Sequence, residues 1–308
     1  MSANLQTLAN LVGTSREMQE VRDQIVCHAA ESTPLLVVGE PGTGRVAVAQ
    51  AVHGASQRQD RPFQQVYCAA LPAAALARQL FAHANDGPAD KPGLLQLASG
   101  GSLLLAGADD LPTTLQLQLL AALRGEPPAD VRLLLTTELD APQLAAEGRF
   151  HPDWAAWLAP NTIYLPPLRK RKTDIVLLAD HFLPHYAQAL GKDVRRLASA
   201  TIDMLMSYHW PGNVRELENS MARAVQQAEG SVIYPYHLPP TLQTAEAGAM
   251  PVAGDLKSLV SAFERDLIRD ALKSTRGNVA AAARALGTTP RILGYKIRTY
   301  QIPPRPYD

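Results

Sequence analysis

An α/β fold is predicted by three features of the 308-residue sequence: five short apolar runs spaced by helical patterns, a glycine-rich turn directly after the first run, and a tail with helical patterns only. The runs are Leu35–Val38, Phe63–Cys68, Ser102–Leu105, Val131–Thr136 and Thr162–Leu165. Such runs suit strands buried on both faces. With helical segments such as Pro72–Phe81 and Thr113–Leu123 between them, the pattern gives a parallel sheet covered by helices. The turn Gly39-Glu40-Pro41-Gly42-Thr43-Gly44-Arg45 joins the first strand to the Ala/Val-rich segment Val46–Val52. In that context closely spaced glycines let backbone N–H groups face phosphates, and a basic side chain follows from the helix. Here that side chain is Arg45 and not Lys, which puts a planar fork where a compact ammonium would fit the phosphate.

Composition narrows the class. Hydrophobic residues make up 46% and charged residues 19%, so two or three domains with real cores are expected. No apolar run reaches the roughly 20 residues that span a bilayer, and Met1–Asn10 lacks the blocks of a signal peptide, so no membrane and a cytoplasmic location are expected. Cys27 and Cys68 have no partner spacing and read as buried thiols in a reducing compartment. The net charge is zero, with 29 basic and 29 acidic residues, yet residues 255–308 hold ten basic against five acidic ones and residues 1–254 hold 19 against 24. A basic tail on a mildly acidic body points to a polyanion at that end.

Taken in order, Thr14-x-x-Glu17 reads as a capping box ahead of Met18, Val21 and Ile25, so a helix runs to about Ala30. The α/β unit then spans 11–165, after a tail of 1–10. Residues 166–240 carry helical patterns at Lys172–Leu190 and Ser199–Tyr208, and a third after Trp210-Pro211-Gly212-Asn213. Thr241–Gly254 has no periodicity and reads as a linker. In 255–308, Leu256, Leu259, Phe263, Leu267, Ile268 and Leu272 mark one amphipathic helix. Two short helices follow: Asn278 caps the first, Gly287 makes the turn, and Thr289 with Pro290 starts the second. Between Asp270 and Asp308 the chain has basic residues and no acid. A short helix, a glycine turn and a basic second helix describe a helix-turn-helix.

Several motifs agree on one family: Gly39–Arg45, Cys68-Ala69-Ala70-Leu71-Pro72, Ser99-Gly100-Gly101-Ser102-Leu103, Leu165-Pro166-Pro167-Leu168-Arg169, and the long run Trp210-Pro211-Gly212-Asn213-Val214-Arg215-Glu216-Leu217-Glu218-Asn219. The chain resembles the bacterial enhancer-binding activators that act with sigma-54, over nearly all of residues 11–302. Its tail is similar to the nitrogen-fixation activator subgroup. The resemblance implies an AAA+ P-loop parallel sheet with a helical lid, plus a small all-α Fis-type helix-turn-helix domain.

Carried over position by position, the family's chemistry largely fails. Beyond Arg45, the strand that should end in Asp-Glu, holding magnesium and polarising water, ends in Ala106-Gly107. The polar sensor after the next strand is Glu138. The arginine fingers appear as His151 and Trp157, while the lid arginine remains as Arg215. An arginine finger alone is worth about 10³–10⁵ in turnover, roughly 4–7 kcal/mol. No catalytic residue is therefore assigned, and no metal. Asp109 and Asp110 lie just past the strand and read as solvated turn carboxylates. The sigma-contacting loop is missing too, since Leu80-Phe81-Ala82-His83 leads into Ala84–Pro92 with no aromatic tip. No receiver or sensing domain is expected ahead of the α/β unit.

What remains is a nucleotide site of Gly39, Gly42, Thr43, Gly44, Arg45 and Arg215, able to cradle ADP or ATP without magnesium; a turn that binds nothing is the equal alternative. The eight histidines show no metal pattern, and His181 with His185 reads as a surface pair. In the tail, Leu293, Ile297, Tyr300 and Ile302 fit the inward face of the second helix. Thr289, Arg291, Ile292, Tyr295 and Lys296 then face the groove of double-stranded DNA, Arg291 toward a base edge. Arg284, Lys296 and Arg298 suit phosphates. The 255–274 helix suits a homodimer seam. The reading is a DNA-binding transcription regulator with a pseudo-ATPase body; a ring-forming activator that still hydrolyses ATP, and a modulator that joins a paralogous activator's ring, are its rivals.

Overall fold

The computed structural model describes residues 11–81, 92–126, 128–247, 261, 264, 265, 267–269, 271, 272, 275, 277–300 and 302. The tail 1–10, nearly all of the Ala84–Pro92 loop, the second half of the linker, and Leu256, Leu259 and Phe263 lie outside the described residues. Contacts divide the chain into two units, one running to Leu178 with His209–Glu218 added, the other holding Ala179–Tyr208 and the chain from Asn219 onward.

In the first unit the elements alternate as predicted. Helix α1 (Arg16–Ala29) precedes strand β1 (Leu35–Val38) and helix α2 (Arg45–Ala55). Next come β2 (Phe63–Tyr67), α3 (Ala73–Phe81), the single-turn α4 (Leu94–Leu97) and β3 (Ser102–Ala106). Helix α5 (Thr113–Arg124), β4 (Arg132–Thr137), α6 (Ala141–Ala146), α7 (Pro152–Leu158) and β5 (Thr162–Tyr164) complete the alternation. The five strands form a parallel sheet in the order β2-β3-β4-β1-β5, with Val37 opposite Thr136 on one side and Ile163 on the other. Each apolar run is split between two cores. Leu36, Val38, Leu103, Leu105, Leu133 and Leu135 pack on one face with α3, α5 and α7, while Leu35, Val37, Leu104, Leu134 and Ile163 pack on the other with α1 and α2. Since successive side chains of a strand point to opposite faces, burial on both requires the unbroken runs seen in the sequence.

Two sequence expectations change here. The N-cap of α1 is Ser15, not Thr14: its hydroxyl accepts from Met18 N and donates to Asp174 Oδ2 at 2.6 Å. The Asp174 Oδ1 atom accepts from Thr14 N and Ser15 N, so a buried carboxylate far along the chain fixes the cap one residue later. Of the two thiols only Cys68 is buried, and burial pushes its pKa up to about 12; Cys27 faces out from α1 and is exposed.

Helix α8 (Thr173–Ala189) carries Pro184 inside it without ending, and His181 and His185 are both exposed. Strand β6 (Arg196–Leu197), α9 (Ser199–Ser207), α10 (Asn213–Gln227), β7 (Val232–Ile233) and α11 (Pro240–Ala247) follow, α11 being helical where the sequence reads as the first half of a linker. The two-residue strands β6 and β7 pair in parallel, and Thr201 Oγ1 donates to Ile233 O beside them, a small sheet where only helices were expected. Further along, residues 264, 265, 267–269, 271 and 272 are helical, followed by α12 (Val279–Ala285) and α13 (Pro290–Thr299). Asn278 Oδ1 accepts from Ala280 N and Ala281 N, and Thr289 Oγ1 accepts from Ile292 N, so both predicted caps form. Their core is Ile268, Ala271, Leu272, Ala282, Ala283, Leu293 and Ile302, with Ile297 and Tyr300 packed against it.

Candidate nucleotide cavity

The loop between β1 and α2 meets the ends of β3 and β4 and the start of α10 around a cavity of about 500 Å³, all within the first unit. Gly42, Gly44, Arg45, Ala106, Gly107, Thr136, Glu138 and Arg215 line it. The loop's shape has local causes. Gly42 has φ +79°, and a Cβ there would stand 2.2 Å from Gly212 O; Gly42 O in turn accepts from Arg215 N. Gly44 has φ +104° and caps α2, and a Cβ there would meet nothing within 4 Å, so its backbone is open. Gly39 and Thr43 face elsewhere: Gly39 N donates to Thr137 O, and the buried Thr43 donates from N and Oγ1 to Glu40 O. Four of the six predicted nucleotide residues thus meet at the cavity, and these two shape the loop behind it.

Three polar side chains hold that loop. Asn213, fully buried at φ +53°, donates from Nδ2 to Pro41 O (3.0 Å) and Glu40 Oε2 (3.2 Å), and its Oδ1 accepts from Leu168 N at 2.8 Å. Arg169 grips the Glu40 carboxylate with both terminal nitrogens, which together with Asn213 holds that carboxyl below its usual range. Arg171 is buried and donates to Thr43 O at 2.9 Å; burial lowers its pKa, and the nearby Asp174 opposes that shift. The sequence reading missed Asn213, Arg171 and Asp174 as individuals, although each lies within or beside a motif that carried the resemblance.

The charged groups at the far end differ from expectation. Arg45 is mostly buried, its Nη2 lies 4.0 Å from Glu138 Oε1, and its Nη1 is buried without a hydrogen-bond partner. Burial lowers its pKa first, Asp109 and Glu138 counter that, and the Arg215 charge adds to the lowering. Asp109 is no solvated turn carboxylate. Its side chain is 7% exposed, Oδ2 accepts from Glu138 N at 3.1 Å and lies 3.7 Å from Arg149 Nη2, and Oδ1 is buried without a partner. Asp110 stays exposed on the cavity. The positions expected to be arginine fingers are structural: His151 Nδ1 accepts from Asp153 N to cap α7, and Trp157 packs on Trp154 at a centroid distance of 5.6 Å.

A magnesium ion, which the fold implies at this place, does not suit these residues. Ala106 and Gly107 end β3 without an oxygen-bearing side chain, and Gly107 N is tied to Thr136 Oγ1 at 3.0 Å. Among the described residues no three His, Cys, Asp or Glu side chains gather as metal ligands. The Arg45 guanidinium, 4.0 Å from the Glu138 carboxylate, already puts a fixed cation on the wall of this cavity.

A parallel sheet in this order, with a glycine-rich loop turning from its inner strand into a helix and arginine-bearing α10 closing the cavity, is the architecture of a P-loop NTPase of the AAA+ class. Residues 11–163 match the sigma-54 interaction domain, and residues 169–280 match the AAA+ ATPase lid domain. The chain belongs to the family of sigma-54 activators. It is 35% identical over 308 residues to the nitrogen fixation protein AnfA of Azotobacter vinelandii, which covers 96% of this chain and 58% of AnfA. It is 36% identical to the transcriptional regulatory protein ZraR of Salmonella typhimurium, over 93% of this chain and 68% of ZraR. The crystal structure of NtrX from Brucella abortus in complex with ATP is similar, with TM-score 0.69 and 25% identity, covering 95% of this chain and 70% of that one. This chain therefore spans less than two thirds of the length of AnfA. No described helix is long and apolar enough to cross a membrane.

The second candidate surface spans the end of α12 and α13. Arg284, Thr289, Arg291, Ile292, Tyr295 and Arg298 are exposed, with Ile292 49% and Tyr295 65% accessible despite their apolar bodies. Lys296 differs from the expectation of a phosphate contact. Its ammonium is paired with Glu264 Oε2, which also accepts from Tyr300 Oη, so the Lys296 charge is spent within the unit. That pairing holds Glu264 below and Lys296 above the ordinary value.

Proposed function

We propose that this protein is a DNA-binding transcription regulator whose AAA+ body binds nucleotide at the cavity without hydrolysing it. The observation that carries the DNA reading is α13: a capped helix held by Leu293, Ile297 and Tyr300, which leaves Thr289, Arg291, Ile292 and Tyr295 on one exposed face. An N-terminal turn of that kind suits the major groove, where Arg291 can read a guanine edge, while Arg284 and Arg298 suit backbone phosphates. Paired half-sites would follow from a homodimer through the 255–274 segment. The strand end at Ala106–Gly107 and the substitution of His151 and Trp157 at the finger positions support loss of hydrolysis. The Ala84–Pro92 sequence, without an aromatic tip, supports a body that no longer grips a sigma factor.

The test is a selection of bound sites from random duplexes, followed by fluorescence anisotropy on the selected site. Arg291→Ala should cost about 1–3 kcal/mol and relax one base position, whereas Arg298→Ala should weaken all sequences alike and reduce the salt slope by about 1. A chain that enriches no site would overturn the reading.

A further inference from the structure

We propose that the cavity takes a nucleoside diphosphate without a divalent cation, with the Arg45 and Arg215 guanidinium groups supplying the positive charge. The inference rests on the reading of the cavity as a nucleotide site and goes beyond it in metal requirement and in phosphate number. Three observations lead there. The volume of about 500 Å³ is in the range of small-molecule sites, and the open backbone at Gly44 starts an eleven-residue helix from the cavity wall. Arg45 is held in place yet unsatisfied, since Nη1 is buried with no acceptor and the 4.0 Å approach to Glu138 is beyond hydrogen-bond reach. Arg215 lines the same cavity as Arg45, so an anion bound there meets two guanidinium charges and eases the repulsion that Arg215 exerts on Arg45.

The residues that exclude magnesium also limit the ligand. A triphosphate is ordinarily neutralised by a metal bridging its outer phosphates. Here Ala106 and Gly107 line the cavity together with the carboxylates of Asp110, Glu138 and Glu218, and the half-exposed Glu138 beside Arg45 would oppose a third phosphate with like charge. Two phosphates would be matched by the two guanidinium groups, and a third would be set against Glu138.

Calorimetric titration of the full chain with ADP and with ATP, each in excess EDTA and in millimolar magnesium, tests this directly. ADP should bind with a Kd that agrees within about threefold between the two buffers, and ATP should bind at least about tenfold more weakly. Arg45→Gln should abolish ADP binding with its melting profile retained, and Glu138→Gln, at an exposed position, should bring ATP within about threefold of ADP. Binding of ADP that requires magnesium, or a Glu138→Gln variant with no gain for ATP, would overturn the inference while leaving a nucleotide site in place. Absence of saturable binding in both buffers would overturn the nucleotide reading itself, and the inference with it.

Discussion

Asn213→Ala is the substitution whose cost follows most directly from the structure. The Asn213 side chain is fully buried and serves two backbone groups, accepting from Leu168 N at 2.8 Å and donating to Pro41 O at 3.0 Å. Alanine leaves both without a partner, at about 1–3 kcal/mol each. It also places a Cβ-bearing residue with no local polar partner at φ +53°, where asparagine is tolerated and alanine costs a further ~1–2 kcal/mol. Such terms do not add fully, and a net loss of about 3–5 kcal/mol is expected, roughly 10 °C in Tm for a unit of this size. Tryptophan fluorescence during urea unfolding is a suitable assay, because Trp154, Trp157 and Trp210, the three tryptophans of the chain, belong to the first unit. Asn213→Gly removes the same bonds but not the backbone freedom, so it should recover about 1 kcal/mol of the loss. A loss below about 1 kcal/mol for Asn213→Ala, or a glycine variant no better than alanine, would refute the reasoning.

Other consequences are as concrete. Glu264→Gln releases Lys296 from its ion pair, so DNA affinity should rise a few-fold and the salt slope steepen by about 1, read by anisotropy across a salt series. His53 is buried against Ser102 Oγ at 2.9 Å, and burial, then Arg132 and Arg58, lower its pKa from 6.5. The unfolded chain then binds the proton first, so stability is full above about pH 6.5 and falls as pH drops toward the folded value. Thermal melts from pH 7.5 to 5.5 (about one unit to either side of the unfolded value) should show that fall, and His53→Gln should flatten it. Asp174→Ala strips acceptors from Thr14 N, Ser15 N and Ser15 Oγ and should cost about 2–5 kcal/mol in urea, with Asp174→Asn recovering part of it.

What the sequence made legible has a physical pattern. The strands were readable because burial on both faces leaves no polar alternation in Leu35–Val38 or Leu103–Leu105. The caps at Asn278 and Thr289 were readable because a cap is a local contract between a side chain and the next turn's N–H groups. The strand order was not, and β6 and β7 at two residues each are too short to show a period. At Thr14 and Ser15 two neighbouring hydroxyls offered the same local solution, and Asp174, 159 residues away from Ser15, decides between them. The roles of Asn213, Arg171 and Asp109 were hidden for the same reason. Their partners belong to other segments of the chain, and a carboxylate just past a strand carries no local sign of whether it is buried. Lys296 sits on the outward side by helical phase, yet Glu264 from an earlier helical stretch removes its charge from that surface.

The proposed loss of ATP hydrolysis rests on Arg45 beside Glu138 and on a strand end at Ala106–Gly107 that bears no acid. Phosphate release by the full chain under saturating Mg-ATP, with and without its selected DNA site, measures this most directly. The account predicts a rate at the buffer background in both conditions, unchanged in Arg45→Gln. Steady turnover above background that the Arg45→Gln substitution abolishes would contradict it.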